Sequence, residues 1–297
     1  VSLLQTFSDS AICRATCVRW LWHRRLIKLT LLVAGGLCCQ VVGGCGGYYT
    51  VVAGDHIAAT DAEAPAVVRL LRNDFFVLNL AVKKALIRFG MEGEAERAAY
   101  TDNLGYAGAM IKAGGRPGRQ VLMLKHTDLD GDEIAAEAAV YVFDPARPAI
   151  VVALDDLPMS KSYDAKAAQA FMKSVADRQN VIYLTRRPIG QHEYLHSKLL
   201  GYGYPDGPIL LWQRERWHIV RDGKYRIPRV VVETRLISRL PELRKALPNL
   251  RTGICGSLVA AKAFQGADLK IFVVGPDAVE FAGDGRESWD HLRKTGI

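Results

Sequence analysis

Four places in this 297-residue sequence carry side chains whose types and spacing could do chemistry. The first is Thr185-Arg186-Arg187-Pro188. It follows the apolar run Val181 to Leu184, so a hydroxyl and a guanidinium stand at the end of a buried strand, and Pro188 fixes φ for entry into a helix. The second is Asp155, which follows the apolar run Ala149 to Leu154 and offers a carboxylate at a comparable strand end. The third is His192-Glu193-Tyr194-Leu195-His196. An H-E-x-x-H on a helix puts two imidazoles on one face, suited to zinc, with the glutamate as general base. The fourth is Cys255-Gly256, a thiol before a predicted helix, where a nucleophile would gain from the helix N-terminus, although a lone interior cysteine is expected as a small core residue.

The elements needed to hold these groups alternate. From Ala149 onward the pattern is a strand to Leu154, a helix over 165–176, a strand over 181–184 and a helix over 191–200. Strand-like runs follow at 209–212 and 230–232, then a helix from Pro241 to Leu247. A strand over 252–255, a helix over 258–264 and a strand over 271–274 complete it. Strands buried on both faces and alternating with helices predict a parallel α/β sheet, in which ligands sit at the C-terminal strand ends. Asp155, Thr185 and Gly256 each end a predicted strand, so they are expected to converge.

The first half has a different period. Between Gly46 and Asp144 short strands are predicted at 48–52, 66–71, 75–82, 85–89, 120–125 and 136–143, with turn signals at Asn73-Asp74, Gly114-Gly115, Pro117-Gly118 and Asp130-Gly131. Their spacing predicts an antiparallel β-sandwich. Asp128, Asp130 and Asp132 have the spacing of a calcium loop, but Glu133 and Ala139 stand where such a loop wants Gly and a bidentate Glu, so a charged hairpin tip is expected. Asp144 to Pro148 is a stiff linker between the halves.

The N-terminus reads as a targeting segment. Arg14, Arg19, Arg24, Arg25 and Lys28 against Asp9 give residues 1–28 a net charge of +4, half of the chain's +8. An uncharged stretch over 29–44 follows, shorter than a comfortable bilayer span, and ends in Val42-Gly43-Gly44-Cys45. Five of the six cysteines lie at or before Cys45, so no disulfide framework is expected in the body. No basic stripe interleaved with aromatics appears, which argues against nucleic acid. Trp212 and Trp217 flank Arg214 and Arg216 as on an amphipathic strand edge.

The segment from Thr185 through Gly203-Tyr204-Pro205-Asp206-Gly207-Pro208 resembles the second motif of the haloacid dehalogenase superfamily, closest to its lipin-type phosphatidate phosphatase branch. The resemblance covers about residues 149 to 275 and implies a three-layer, Rossmann-like C-terminal domain. In that family a strand ends Asp-x-Asp-x-Thr, the first Asp attacking phosphorus and the second serving as acid/base. Matching Ile150 to Leu157 puts Ala153 at the nucleophile, Asp155 at the acid/base and Leu157 at the Thr; a one-residue slip would make Asp155 the nucleophile. Thr185 and Arg187 match the phosphate-binding motif, and Arg235 is the cation nearest the third. Gly256 survives from the fourth, metal-binding motif, without its acids.

A methyl group cannot replace a carboxylate nucleophile. The resemblance therefore implies a degenerate domain that binds or scaffolds and needs no cofactor. An active phosphatase using Asp155 would require Mg²⁺. The other alternative is a zinc hydrolase. His192 and His196 with Glu215 resemble the ligand spacing of one aminopeptidase class, although Gly201, Gly203, Pro205, Gly207 and Pro208 intervene. Val42 to Cys45 resembles a bacterial lipobox, with Cys45 the lipidated residue, and Tyr100 to Ala107 resembles bacterial immunoglobulin-like domains. The expected organisation is a signal or membrane-targeting segment (1–45), an immunoglobulin-like sandwich (46–144), a dehalogenase-like domain (149–280) and a C-terminal tail (281–297). The chain is expected to be exported to the cell envelope and anchored by its N-terminus, with a phosphate-bearing or lipid ligand as its partner.

Overall fold

The computed structural model describes residues 48–74, 78–212, 216–222, 225–231, 239–275 and 288–295. The chain divides into two compact units, Val1–Tyr48 with Asn73–Asn79, and Tyr49–Arg72 with Leu80–Ile297. The second carries the cores and the candidate site.

The first nine strands are β1 (Tyr48–Ala53), β2 (His56–Ala59), β3 (Glu63–Asp74), β4 (Leu78–Ala81), β5 (Leu86–Met91), β6 (Arg97–Tyr100), β7 (Tyr106–Lys112), β8 (Gly118–Thr127) and β9 (Glu133–Phe143). One sheet runs β2-β9-β8-β5-β6; the other runs β1-β3-β4, with β7 antiparallel on β3. Inward residues at every second position, among them Ala66, Val68 and Leu70 of β3, Ile87 and Phe89 of β5, and Leu122 and Leu124 of β8, fill one shared core. The expectation of a wholly antiparallel arrangement fails at one place. β2 pairs with β9 in parallel, from His56↔Val140 to Ala59↔Phe143. Strands β2, β6 and β7 are short or Ala/Gly-rich, and their sequences lack the apolar alternation that would announce them. The Asp128 to Asp132 tip is a hairpin turn, in which the Asp128 carboxylate accepts the N–H groups of Asp130 and Asp132.

The second half is a five-stranded parallel sheet in the order β12-β11-β10-β15-β16. Its strands are β10 (Ala149–Ala153), β11 (Asn180–Thr185), β12 (Ile209–Leu211), β15 (Leu250–Cys255) and β16 (Lys270–Val273). The run near Val230 belongs elsewhere, to an antiparallel hairpin of β13 (Arg216–Asp222) and β14 (Tyr225–Val231). The helices are α1 (Tyr163–Ala176), α2 (His192–Gly201), α3 (Arg239–Ala246), α4 (Leu258–Gly266) and α5 (Trp289–Thr295). α1 starts where the Ser162 hydroxyl accepts the Ala165 N–H, and its Ala168, Phe171, Met172 and Val175 form one buried stripe. Ile150, Val152 and Tyr183 pack with α1 and α2 on one face of the sheet. Val151, Ala153 and Leu184 pack with α3 and α4 on the other. Trp289 and Leu292 of α5 also enter the α1 core, although the sequence reading leaves these residues in a tail. Trp212 is not an edge contact: it is buried and stacks on Phe264 at 5.2 Å. The side chains of Arg214, Arg216 and Trp217 lie outside the described residues.

β9 joins the halves. Its Ala138, Val140 and Val142 face the sandwich core, while Ala139, Tyr141 and Phe143 face the core beneath the parallel sheet. A polar tether runs beside it. The Asp55 carboxylate, in the turn between β1 and β2, accepts the Ile209 N–H at 2.8 Å and lies 2.9 Å from His192 Nε2, an ion-pair contact without hydrogen-bond alignment. The next residue, His56, is only 6% exposed. Burial first, and then Arg239 and His192, lowers its pKa to about 4 against the pull of Asp55. It is therefore neutral in the fold.

Two outcomes follow from this packing. A Cβ on Gly253 would come within 2.6 Å of the fully buried Phe264 ring. Gly253→Ala should cost ~1–3 kcal/mol of stability by overpacking, read as a lowered denaturation midpoint with unchanged slope. For His56, an unfolded chain takes up a proton below pH 6.5 that the folded chain refuses until about pH 4. Its contribution is complete above pH 6.5 and declines toward pH 4, by ~3 kcal/mol in all. Denaturant unfolding across that window should show a shallower pH slope for His56→Gln than for the natural chain; equal slopes would mean that this ring does not control acid stability.

Candidate functional site

The parallel sheet reverses its winding at β10: β11 and β12 lie to one side, β15 and β16 to the other. Such a switch point opens a crevice at the carboxyl ends of the strands, where α/β folds bind ligands. β10 ends there in a 3-10 turn, Leu154–Asp156, which aims its two carboxylates at opposite neighbours. Asp155 turns to β11. It accepts the Thr185 hydroxyl at 2.9 Å and the Arg186 N–H at 2.7 Å, and the Nε atoms of Arg186 and Arg187 each lie 3.6 Å from it. The Thr185 hydroxyl in turn accepts the Arg187 N–H. Asp156 turns to β15, where one oxygen accepts the Gly256 N–H, the Ser257 N–H and the Ser257 hydroxyl at 2.9 to 3.1 Å. Ser257 occupies the N-cap of α4, and Asp156 supplies the capping carboxylate from across the crevice.

The structure thus brings Asp155, Thr185 and Arg187 together, as the strand ends predict. Gly256 meets Asp156 rather than Asp155. Ala153 is buried, with no polar atom to offer. Sequence reasoning passed over Asp156 and Ser257. The signal was the double Asp at a strand end, one side chain for each neighbouring strand. Cys255 is the small core residue expected of a lone interior cysteine: it is buried, and burial, with Asp156 beside it, pushes its thiol up to about 12. Cys45, Glu215 and Arg235 lie outside the described residues.

The two histidines of α2 stack at 6.2 Å, but each Nε2 faces its own carboxylate at 2.9 Å, His192 on Asp55 and His196 on Asp206. These are the atoms that would ligate a metal. Glu193 is exposed. Among the described residues no three of His, Cys, Asp and Glu are gathered as metal ligands. The Asp206 hydrogen bond raises the His196 pKa and outweighs burial, and the same bond lowers that of Asp206. Tyr141 of β9 also donates to Asp206, so this pair is a second tether between the halves.

Beside the crevice lies a cavity of about 310 Å³ between β1, β3 and the α2–β12 region. Thr185, Arg187, Asp55, His56 and His192 contribute to its lining. Asp55 and His56 carry no sequence motif, and only the fold reveals their burial.

No protein-family model matches the chain, and no curated protein matches it. Among solved structures it is similar to a carbohydrate acetylesterase from Xanthomonas citri, at 10% identity and TM-score 0.36, covering 83% of this chain and 72% of that one. A sialyltransferase from Photobacterium damsela is similar at 6% identity and TM-score 0.23, covering 76% and 43%. CopC from Methylosinus trichosporium OB3b is similar at 14% identity and TM-score 0.19, covering 33% and 95%. These TM-scores are too low to carry a fold or an activity to this chain.

Proposed function

We propose that the chain is an exported, lipid-anchored binding protein whose α/β half is a three-layer, dehalogenase-like domain that has lost phosphoryl transfer. One observation carries this reading. The donors at the switch point, Thr185 Oγ1 and the Arg186 N–H on one side and the Gly256 and Ser257 groups on the other, all end on the chain's own carboxylates. A hydroxyl and backbone N–H groups at strand and helix ends suit an oxyanion. Here an internal oxyanion already takes them. The resemblance places the attacking carboxylate at Ala153, and that side chain cannot attack phosphorus. Asp155 already accepts two hydrogen bonds and is faced by two guanidinium groups. The immunoglobulin-like reading of the first half is part of the same proposal, supported by two sheets around one core.

Export and anchoring rest on the basic segment, the uncharged stretch and Cys45. Among the described residues no helix is long and apolar enough to cross a membrane.

Two measurements test these statements. The purified chain should release no phosphate from phosphatidate or an aryl phosphate in the presence of Mg²⁺. Turnover that Asp155→Asn abolishes would restore the phosphatase. In a bacterial host the full chain should fractionate with membranes, and Cys45→Ala should release it, because each buried CH₂ of an acyl anchor contributes ~0.8 kcal/mol. Unchanged membrane association of the variant would replace the lipid anchor with the apolar segment itself.

A further inference from the structure

The cavity beside the switch point has the make-up of a ligand site in its own right. Its volume, about 310 Å³, equals that of roughly ten waters at ~30 Å³ each, enough for a ligand of about that many heavy atoms. Its walls are largely aliphatic and come from both halves, with Val52 and Val68 on one side and Leu195 and Ile209 on the other. Among the described residues three guanidinium groups line it, Arg69, Arg187 and Arg239, with the carboxylate of Asp55, which already faces His192 and the Ile209 N–H. Arg69 is held in place, donating to the Leu104 carbonyl and lying 5.1 Å from the Tyr106 ring centre. Arg187 lies 3.6 Å from Asp155, and Arg239 pairs with Glu242. Asp155 and Glu242 offset part of the positive charge of Arg187 and Arg239. An independent observation points the same way. His56 also lines the cavity, and among the described residues its buried Nε2 has no hydrogen-bond partner. Leaving such a nitrogen unsatisfied is costly, and a ligand oxygen would relieve that cost.

We propose that this cavity binds an amphiphilic monocarboxylate, a medium-chain acyl acid of about ten carbons, with its chain between the aliphatic walls and its carboxylate among Arg69, Arg239 and His56. Arg and carboxylate match as planar, charge-assisted partners, while the walls bury the chain. The proposal rests on the binding reading above and names the chemistry that site would select.

The experiment is isothermal titration of the full chain with decanoate, decanol and decyl phosphate. Decanoate should give a saturable isotherm, and decanol should bind at least about tenfold more weakly, the loss of one charge-assisted interaction. Val52→Trp, which places an indole in the cavity, should weaken decanoate by at least a similar factor while keeping a cooperative unfolding transition. Arg69→Met should do so without filling any space. Absence of saturable binding, decanol as tight as decanoate, or tighter binding of decyl phosphate would each overturn the assignment. The earlier reading fails separately: phosphate release from decyl phosphate with Mg²⁺ would restore a phosphatase, whatever the decanoate isotherm shows.

Discussion

The buried carboxylate of Asp55 is the constraint on which the site depends. It sits in the turn between two sandwich strands, yet its partners are the N–H that opens edge strand β12 and a histidine of α2. A buried charge without partners would be costly, so Asp55 can stay where it is only if β12 and α2 stay where they are. The same placement sets the width of the cavity and carries His56 into its wall. The pair of Asp206 and His196 with Tyr141 repeats the arrangement further along α2. The helix that carries the apparent zinc motif is thus a strut. Its histidines reach for carboxylates, and their four-residue spacing reflects two tethers on one helix face.

The switch point obeys a related logic. Two adjacent aspartates after one strand must point apart, and here each satisfies the end of a different neighbouring strand. Asp156 caps α4 and fixes where β15 ends; Asp155 orders the turn after β11. Their carboxylates organise the crevice, and their hydrogen bonds hold the neighbouring strand ends in place.

Much of this was legible in the sequence because it is local. Continuous apolar runs such as Ile150 to Ala153 and Val181 to Leu184 could only be strands buried on both faces, and the convergence of Asp155 with Thr185 follows from their ends. The apolar run Val121 to Leu124, between the turn signals at Pro117-Gly118 and Asp130-Gly131, announced β8. What could not be read is long-range. Nothing near His56 signals that its strand joins β9 in parallel, since the pairing depends on residues more than eighty positions away. Trp289 has no periodic partners along the chain; its partner is Phe171, at a centroid distance of 6.0 Å.

β9 gives one face to each of two cores. A strand so placed has no expendable side. A substitution that improves one core through Val140 must still leave Tyr141 and Val142 in register for both, because a one-residue slip would exchange the two sets of side chains. The two halves are therefore not separable like beads on a string: removing either would leave one face of Ala138 to Phe143 without its core.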